Sequence, residues 1–438
     1  MNQLNVSQPA DRGASGRSGP SEQTLRMKLT HAVLRAAVML YLSALWLAGK
    51  LGRPKRVLPE QADVLLTGTF YSDNWIRAHL GPMGQARAFR RVRMVATSPV
   101  PQLENVEAVY PPSWLRKSCG DVPSRLITFI WTALRTRPDV VGGFHLLFNG
   151  LLALLVARMI GARAVYFAVG GPAEVLGGGI MSENRLFSRL AAPSAEIECD
   201  LLRAVGTFDL VVTMGTGAIQ FYRSRHIGCE CRVISGGIAA ASGDGADRDF
   251  DVIFVGRLAP IKRVELLLRS LAEAKQTLPS LRAVIVGDGP LRGQLQQLSA
   301  ELGLGDSVVF AGHQQDVGHW LSRARLFILT SQSEGLSLSM MEAMMAGLPV
   351  IVSNVGDLSD MVENGRSGYL VSDCVPQRFA GHIVELIGNT SRWQAFSAQA
   401  RKTAMLYGIS AAAARWNEAM SSLRPCKKST QAASGGTR

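Results

Sequence analysis

The chain is poor in the residues that mark several common classes of protein. Its six cysteines (Cys119, Cys199, Cys229, Cys231, Cys374, Cys426) are scattered over 438 residues with no C-x-x-C pair. Cys229-x-Cys231 has no further Cys or His at metal-ligand spacing, which argues against a zinc site. The absence of a disulfide framework fits a reducing compartment, the cytosol. No nucleic-acid-binding signature accompanies the net charge of +13. No uncharged run reaches the ~20 residues a bilayer-spanning helix needs; the longest near the N-terminus is Ala36–Gly49, closed by Arg35 and Lys50. Acidic residues are scarce at the two ends. Residues 1–60 hold nine Lys and Arg against three acids, and residues 421–438 hold four and none, leaving +3 for the body. Basic flanks around a near-neutral body point to an anionic membrane surface and argue against a nucleic-acid-binding core.

What is present is an apolar fraction of 47% in a chain long enough for two or three domains. Residues 1–24, rich in Gly, Ser and Pro, and 425–438 read as a disordered lead and tail. Residues 25–58 read as an amphipathic helix. Its apolar part, Leu29–Leu51, carries Tyr41, Trp46 and flanking cations, the composition of a helix lying in a membrane interface or spanning it; an extra packing helix and a signal sequence are the alternatives. Short apolar runs then alternate with helical stretches, the pattern of βαβ units and parallel sheets. The first series fills 59–240: strands at Ala62–Thr69, Arg91–Thr97, Asp139–Phe144, Ala164–Val169 and Leu210–Met214, and a long core helix at Leu146–Ile160. The small, polar stretch Ala239–Asp249 is the linker. Asp249-Phe-Asp251 spells D-x-D, but its place at a linker and strand start argues against a metal site. The second series fills 249–408, and a last helix lies within 409–424.

Ligands of such sheets sit at strand C-terminal ends. There the second half places Arg257 and Lys262, two cations suited to a diphosphate. The stretch Phe327–Val352, FILTSQSEGLSLSMMEAMMAGLPVIV, reads as strand, loop, helix and strand. Its loop and first helical turn carry Glu334 and Glu342. Between them Gly335, Leu336 and Ser337 offer backbone N–H groups at a helix N-terminus, which favours an anion. Ser339-x-x-Glu342 also fits a capping box, with Glu342 satisfying a backbone donor. His145 ends an apolar strand, either as a satisfied turn residue or as a cleft group that orients a hydroxyl. The glycine-rich Val169–Gly179 is either a close approach to a ligand or a surface loop.

These segments, FVGRLAPIKRVELLLRSL, VIVGDGPL, VVFAGH and SEGLSLSMMEAMMAGLPVIVSNVGDLSDMVENGRSGYLV, together resemble the nucleotide-sugar domain of the retaining glycosyltransferases of family 4. The resemblance covers Val252–Val371 and extends more loosely over 61–240. It implies a GT-B architecture, α/β, with two Rossmann-like doubly wound domains facing a central cleft and a C-terminal helix crossing back to the first. It implies that Arg257 and Lys262 bind the donor diphosphate and Glu342 the ribose hydroxyls. Glu334 and His145 then face the transferred sugar, with Gly335, Leu336 and Ser337 as backbone contacts and Gly312–Gln314 near the base. The implied reaction is metal-independent, retaining transfer of a sugar from a nucleotide sugar to a carbohydrate or lipid-linked acceptor hydroxyl. It needs no cofactor and would serve polysaccharide or lipid-linked glycan biosynthesis at the inner face of the cytoplasmic membrane. The alternatives are a nucleotide-sugar epimerase of the same architecture and an inactive nucleotide-sugar-binding scaffold.

Overall fold

The computed structural model describes residues 20–69, 72–182, 187, 190, 192–239 and 248–424, with backbone alone for 20–28. Most of the expected lead, residues 240–247 of the expected linker and the expected tail lie outside the described residues. Two parallel sheets organise what remains. In the first, β1 (Ala62–Thr67), β2 (Phe89–Val95), β3 (Val106–Val109), β4 (Val140–Phe144), β5 (Arg163–Ala168), β6 (Leu210–Thr213) and β7 (Glu230–Val233) take the order 3-2-1-4-5-6-7. In the second, β8 (Phe250–Val255), β9 (Ala283–Val286), β10 (Val308–Gly312), β11 (Ala324–Leu329), β12 (Val350–Ser353) and β13 (Gly368–Val371) take the order 10-9-8-11-12-13. Every pairing is parallel. Central strands such as β4, β6, β9 and β12 are buried at every residue, so they read as unbroken apolar runs. Both sheets reverse strand order at their first strand, between β1 and β4 and between β8 and β11. In a doubly wound sheet this switch point opens the crevice where ligands bind.

Helices α1 (Pro20–Leu51), α2 (Asp73–Gln85), α3 (Ser113–Cys119), α4 (Asp121–Thr136), α5 (Leu151–Ile160), α6 (Leu176–Gly179), α7 (Ala195–Val205) and α8 (Thr216–Ser224) belong to the first half. Helix α1 starts at Pro20, inside the lead expected to be unstructured. Proline suits a first helical position, and Glu, Gln, Leu and Met after it are good helix formers. Helix α1 does not project away from the domain. It buries Leu34, Val38 and Leu45 against α5 and α7, and Tyr41 donates to the Leu151 carbonyl at 2.9 Å. Its other face leaves Leu40 74%, Trp46 62% and Leu51 77% exposed. By length and composition, Leu29–Leu51 is the one described helix able to cross a membrane.

The expected helix at Leu146–Ile160 begins five residues late. Asn149 donates its side-chain amide to the Phe144 carbonyl at 2.8 Å, and Leu147 (ψ 123°) and Phe148 (φ 68°) leave the helical region to allow it. Satisfying a buried strand-end carbonyl outweighs one regular helical turn.

The second half adds α9 (Val264–Thr277), α10 (Arg292–Glu301), α11 (Val317–Ser322), α12 (Leu338–Met345), α13 (Pro376–Gly388), α14 (Thr390–Met405) and α15 (Ile409–Ser422). Helix α15 leaves the second sheet and packs on α2 of the first. Ala412, Ala413, Trp416, Ala419 and Met420 complete the first domain's core. Trp416 meets Phe89 and Phe167 with ring centroids 5.6 Å away, and Asn417 accepts from the Ala88 N–H at 2.9 Å. The D-x-D aspartates lie at the opposite end of β8 from the switch point, where Asp249 pairs with Arg323 and Asp251 with Arg325.

Candidate functional site

The second domain supplies a strand-end cluster. After β8 the chain makes a tight turn at Pro260–Lys262, and Arg263 takes a left-handed φ of 48° to enter α9. Thr330, just past β11, donates its hydroxyl to the carbonyls of Lys262 (3.1 Å) and Arg263 (2.9 Å), locking this turn to the neighbouring strand end. The Lys262 ammonium lies 2.5 Å from the Glu334 carboxylate, which also accepts from the Ser331 hydroxyl at 2.5 Å. Side-chain exposures of 21% and 10% make this a half-buried, charge-assisted pair. Arg257 lies beside it in sequence, exposed. Gly356, at φ 57°, passes beneath the Glu334 backbone. A Cβ there would come 1.8 Å from the Glu334 carbonyl oxygen, so only glycine fits.

Helix α12 does not begin as the capping-box pattern suggests. The N-cap is Ser337, whose hydroxyl accepts from the Met340 N–H at 3.4 Å. That shifts Glu342 from the first turn to the second, out of reach of the N-terminal donors. Its carboxylate instead accepts from the Asn74 side chain of α2 at 3.3 Å, across the cleft. Burial pushes the Glu342 carboxyl up to about 7. Because the folded pKa exceeds the unfolded one, ionisation opposes folding, and its cost grows as pH rises from about 4.5 to about 7. Glu342→Gln is expected to match the parent's stability at acid pH. Above pH 7 it should be more stable by on the order of 1–3 kcal/mol, measured by urea denaturation at several pH values.

The first domain contributes His145, one residue past β4 at the other switch point. Its φ of 64° with ψ of 142° is strained for a residue with a side chain. Sequence reasoning missed what holds it. Glu174, 4% exposed, faces the Nδ1 of His145 at 3.1 Å. It also accepts from the Tyr166 hydroxyl (3.0 Å) and from the N–H groups of Gly170 (2.6 Å) and Leu146. One signal was available, since Glu174 is the lone carboxylate between Asp139 and Glu183.

Among the described residues, the two halves meet across the cleft at several places, of which three bear on the site. A Cβ on Gly335 would lie 3.6 Å from the Val169 carbonyl oxygen, so the loops after β5 and β11 nearly touch. Asn74 reaches Glu342. At the far edge Asp360 accepts from the Thr216 N–H and hydroxyl, both at 2.6 Å, and Asp357 from the Gly217 N–H at 2.8 Å, so α8 presents its N-terminus to two carboxylates. A cavity of about 450 Å³ opens on the hinge side, lined by Asn74, Arg77, Gly237, Arg248, His319 and Glu342 among others. Lys262 and Glu334 lie outside it. The structure therefore brings Lys262 and Glu334 together and places Glu342 against the first domain, on the wall of this cavity. Among the described residues no three His, Cys, Asp or Glu side chains group as metal ligands.

Residues 241–403 match the family model described as "Glycosyl transferases group 1". Among curated proteins, the chain is 34% identical over 178 residues to D-inositol 3-phosphate glycosyltransferase of Thermobispora bispora, covering 38% of this chain and 42% of that protein. It is 38% identical over 120 residues to the Vi polysaccharide biosynthesis protein VipC/TviE of Salmonella typhi, covering 27% and 20%. The chain thus spans less than half the length of these relatives. Among solved structures, Anabaena HepE in complex with UDP and glucose has a TM-score of 0.64 at 19% identity, covering 83% of this chain and 100% of that one. Sucrose-phosphate synthase of Thermosynechococcus elongatus has a TM-score of 0.66 at 17% identity, covering 82% and 99%. At these identities the likeness is one of fold, the two-domain GT-B arrangement.

Proposed function

From the match of residues 241–403 to the glycosyl transferases group 1 model, we infer that this chain transfers a sugar from a nucleoside-diphosphate sugar to an acceptor hydroxyl. The observation that carries the reading is the Lys262–Glu334 pair at the second sheet's switch point, next to the Gly335 backbone that approaches the Val169 carbonyl of the first domain. As the donor bond breaks, negative charge grows on the diphosphate and positive character on the anomeric carbon. Arg257, Lys262 and the N–H groups that open α12 after Gly335, Leu336 and Ser337 stabilise the diphosphate. These fixed positive groups supply the charge a bound metal would otherwise provide. Glu334, held by Lys262 and Ser331, orients the sugar. Glu342 takes the ribose hydroxyls, and His145 faces the transferred sugar from the other domain. The acceptor hydroxyl enters from the face the diphosphate leaves, which retains the anomeric configuration. HepE, solved with UDP and glucose, supports a uridine donor, and the Vi relative supports polysaccharide biosynthesis. A thermal-shift panel of UDP- and GDP-sugars tests the reading. Donor at a hundredfold excess over its Kd should stabilise the protein by about 2.7 kcal/mol; no shift with any nucleotide sugar would contradict it.

The acceptor side is proposed to work at an anionic membrane surface, with α1 lying on it. Packing against α5 and α7 keeps α1 along the domain, while Leu40, Trp46 and Leu51 face outward beside Lys50, a geometry for interfacial rather than transmembrane placement. Replacing Leu40 and Trp46 by glutamate should preserve the fold, since both are exposed. It should weaken co-sedimentation with vesicles containing phosphatidylglycerol roughly 10–100-fold, the effect of removing two large apolar anchors. Undiminished binding would refute the placement.

A further inference from the structure

Glu174 is a buried carboxylate with no assigned role, and its surroundings are specific. It meets four groups on three segments: the Leu146 N–H after β4, the Tyr166 hydroxyl on β5 and the Gly170 N–H in the loop that follows donate to it, and Nδ1 of His145 lies 3.1 Å away. Oε1 takes Gly170 and His145, and Oε2 takes Leu146 and Tyr166, so both oxygens are committed. An amide in its place would turn an N–H₂ against the groups on one side, at least one of which is a donor. The contacts also converge on strain. His145 carries the unfavourable φ, and the residues beside it and opposite it are tied to the same carboxylate. Val169, next to Gly170, is where the first domain approaches Gly335 of the donor loop.

We propose that Glu174 is the positioning residue of the site, fixing the orientation and tautomer of His145 and the height of the Val169–Gly170 rim over the donor. This rests on the transferase reading above. An Nδ1–H donated to Glu174 leaves Nε2, which is buried in the structure, as the unprotonated nitrogen of the neutral ring. The remaining titratable groups around the pair keep the arrangement fixed. His79 of α2 is fully buried and held neutral, its pKa pushed down to about 3 by burial and by the nearness of His145. The Tyr166 and Tyr222 hydroxyls are pushed up by burial and by Glu174, so they stay protonated. Glu174 itself does not reach the reacting atoms; it acts through His145 and the rim.

The test is Glu174→Gln with two readouts. In the transfer assay kcat should fall roughly 10–100-fold, the range for removing the partner that orients a functional histidine, while the donor KM stays within about twofold. In nitrogen-15 NMR of histidine-labelled protein, the parent should show the Nδ1–H tautomer of His145 and the variant a mixture. Glu174→Asp, which restores the charge one methylene short, should recover part of both. Should Glu174→Gln unfold, Glu174→Asp and Tyr166→Phe carry the test, because Tyr166→Phe removes one donor without touching His145 and should leave the tautomer unchanged. A parent-like tautomer and kcat in folded Glu174→Gln would overturn the proposal. If the transferase reading alone is wrong, neither protein transfers sugar, yet the tautomer still changes.

Discussion

Lys262→Ala is expected to lower kcat/KM about 10²–10³-fold, the usual cost of removing one preorganised group that stabilises a developing anion. The size of the effect follows from how little freedom the side chain has. Its turn is fixed by Pro260 and by the Thr330 hydroxyl, and its ammonium is already 2.5 Å from Glu334. Alanine would remove the cation from the proposed diphosphate position and leave Glu334 hydrogen-bonded to the Ser331 hydroxyl. A buried carboxylate stripped of its cation is costly, so the variant should also lose thermal stability. Lys262→Arg keeps the charge but not the compact ammonium, and should recover activity in part. Steady-state kinetics over a donor concentration series check this, and parent-like kcat/KM in Lys262→Ala would sink the assignment.

Trp416→Ala should destabilise the fold by about 3–5 kcal/mol, the range for deleting a buried aromatic side chain. Trp416 is 2% exposed, and its ring packs on Phe89 at the start of β2 and Phe167 in β5. Here the second domain's last helix fills the first domain's core, so the cavity would lie in the seam that fixes how the domains face each other. Loss of that seam should also reduce the proposed transfer activity, because the proposed site draws on both switch points. Urea denaturation followed by far-ultraviolet circular dichroism measures the first effect. A midpoint like the parent's would show that α15 contributes little to the first core.

Much of the fold was legible because parallel strands buried on both faces read as apolar runs and several of the helices between them stop at Gly or Pro, as α5 does at Gly161 and α12 before Gly347. Val252–Val255, Ala283–Val286 and Phe327–Leu329 are such runs, and the cations and glutamates behind them fall at strand ends by counting alone. What sequence could not supply is the geometry decided by distant partners. Ser337 and Ser339 are equally good caps on paper, and the position of α12 against the sheet selects Ser337. Glu342 then faces Asn74, 268 residues away. Glu174 stood in a glycine-rich loop open to two readings, because its four partners gather only when β4 and β5 lie side by side. The irregular turn at 146–150 was hidden for the same reason, as hydrophobicity alone cannot show that Asn149 bends back to Phe144.

The most direct measurement is the thermal stability of the parent, Lys262→Ala and Glu334→Gln with a saturating nucleoside-diphosphate sugar, in buffer containing EDTA. The account predicts a donor-dependent rise in the parent despite the chelator and a much smaller rise in both variants. A rise that vanishes with EDTA, or that persists unchanged in both variants, would contradict a donor site built on the Lys262–Glu334 pair.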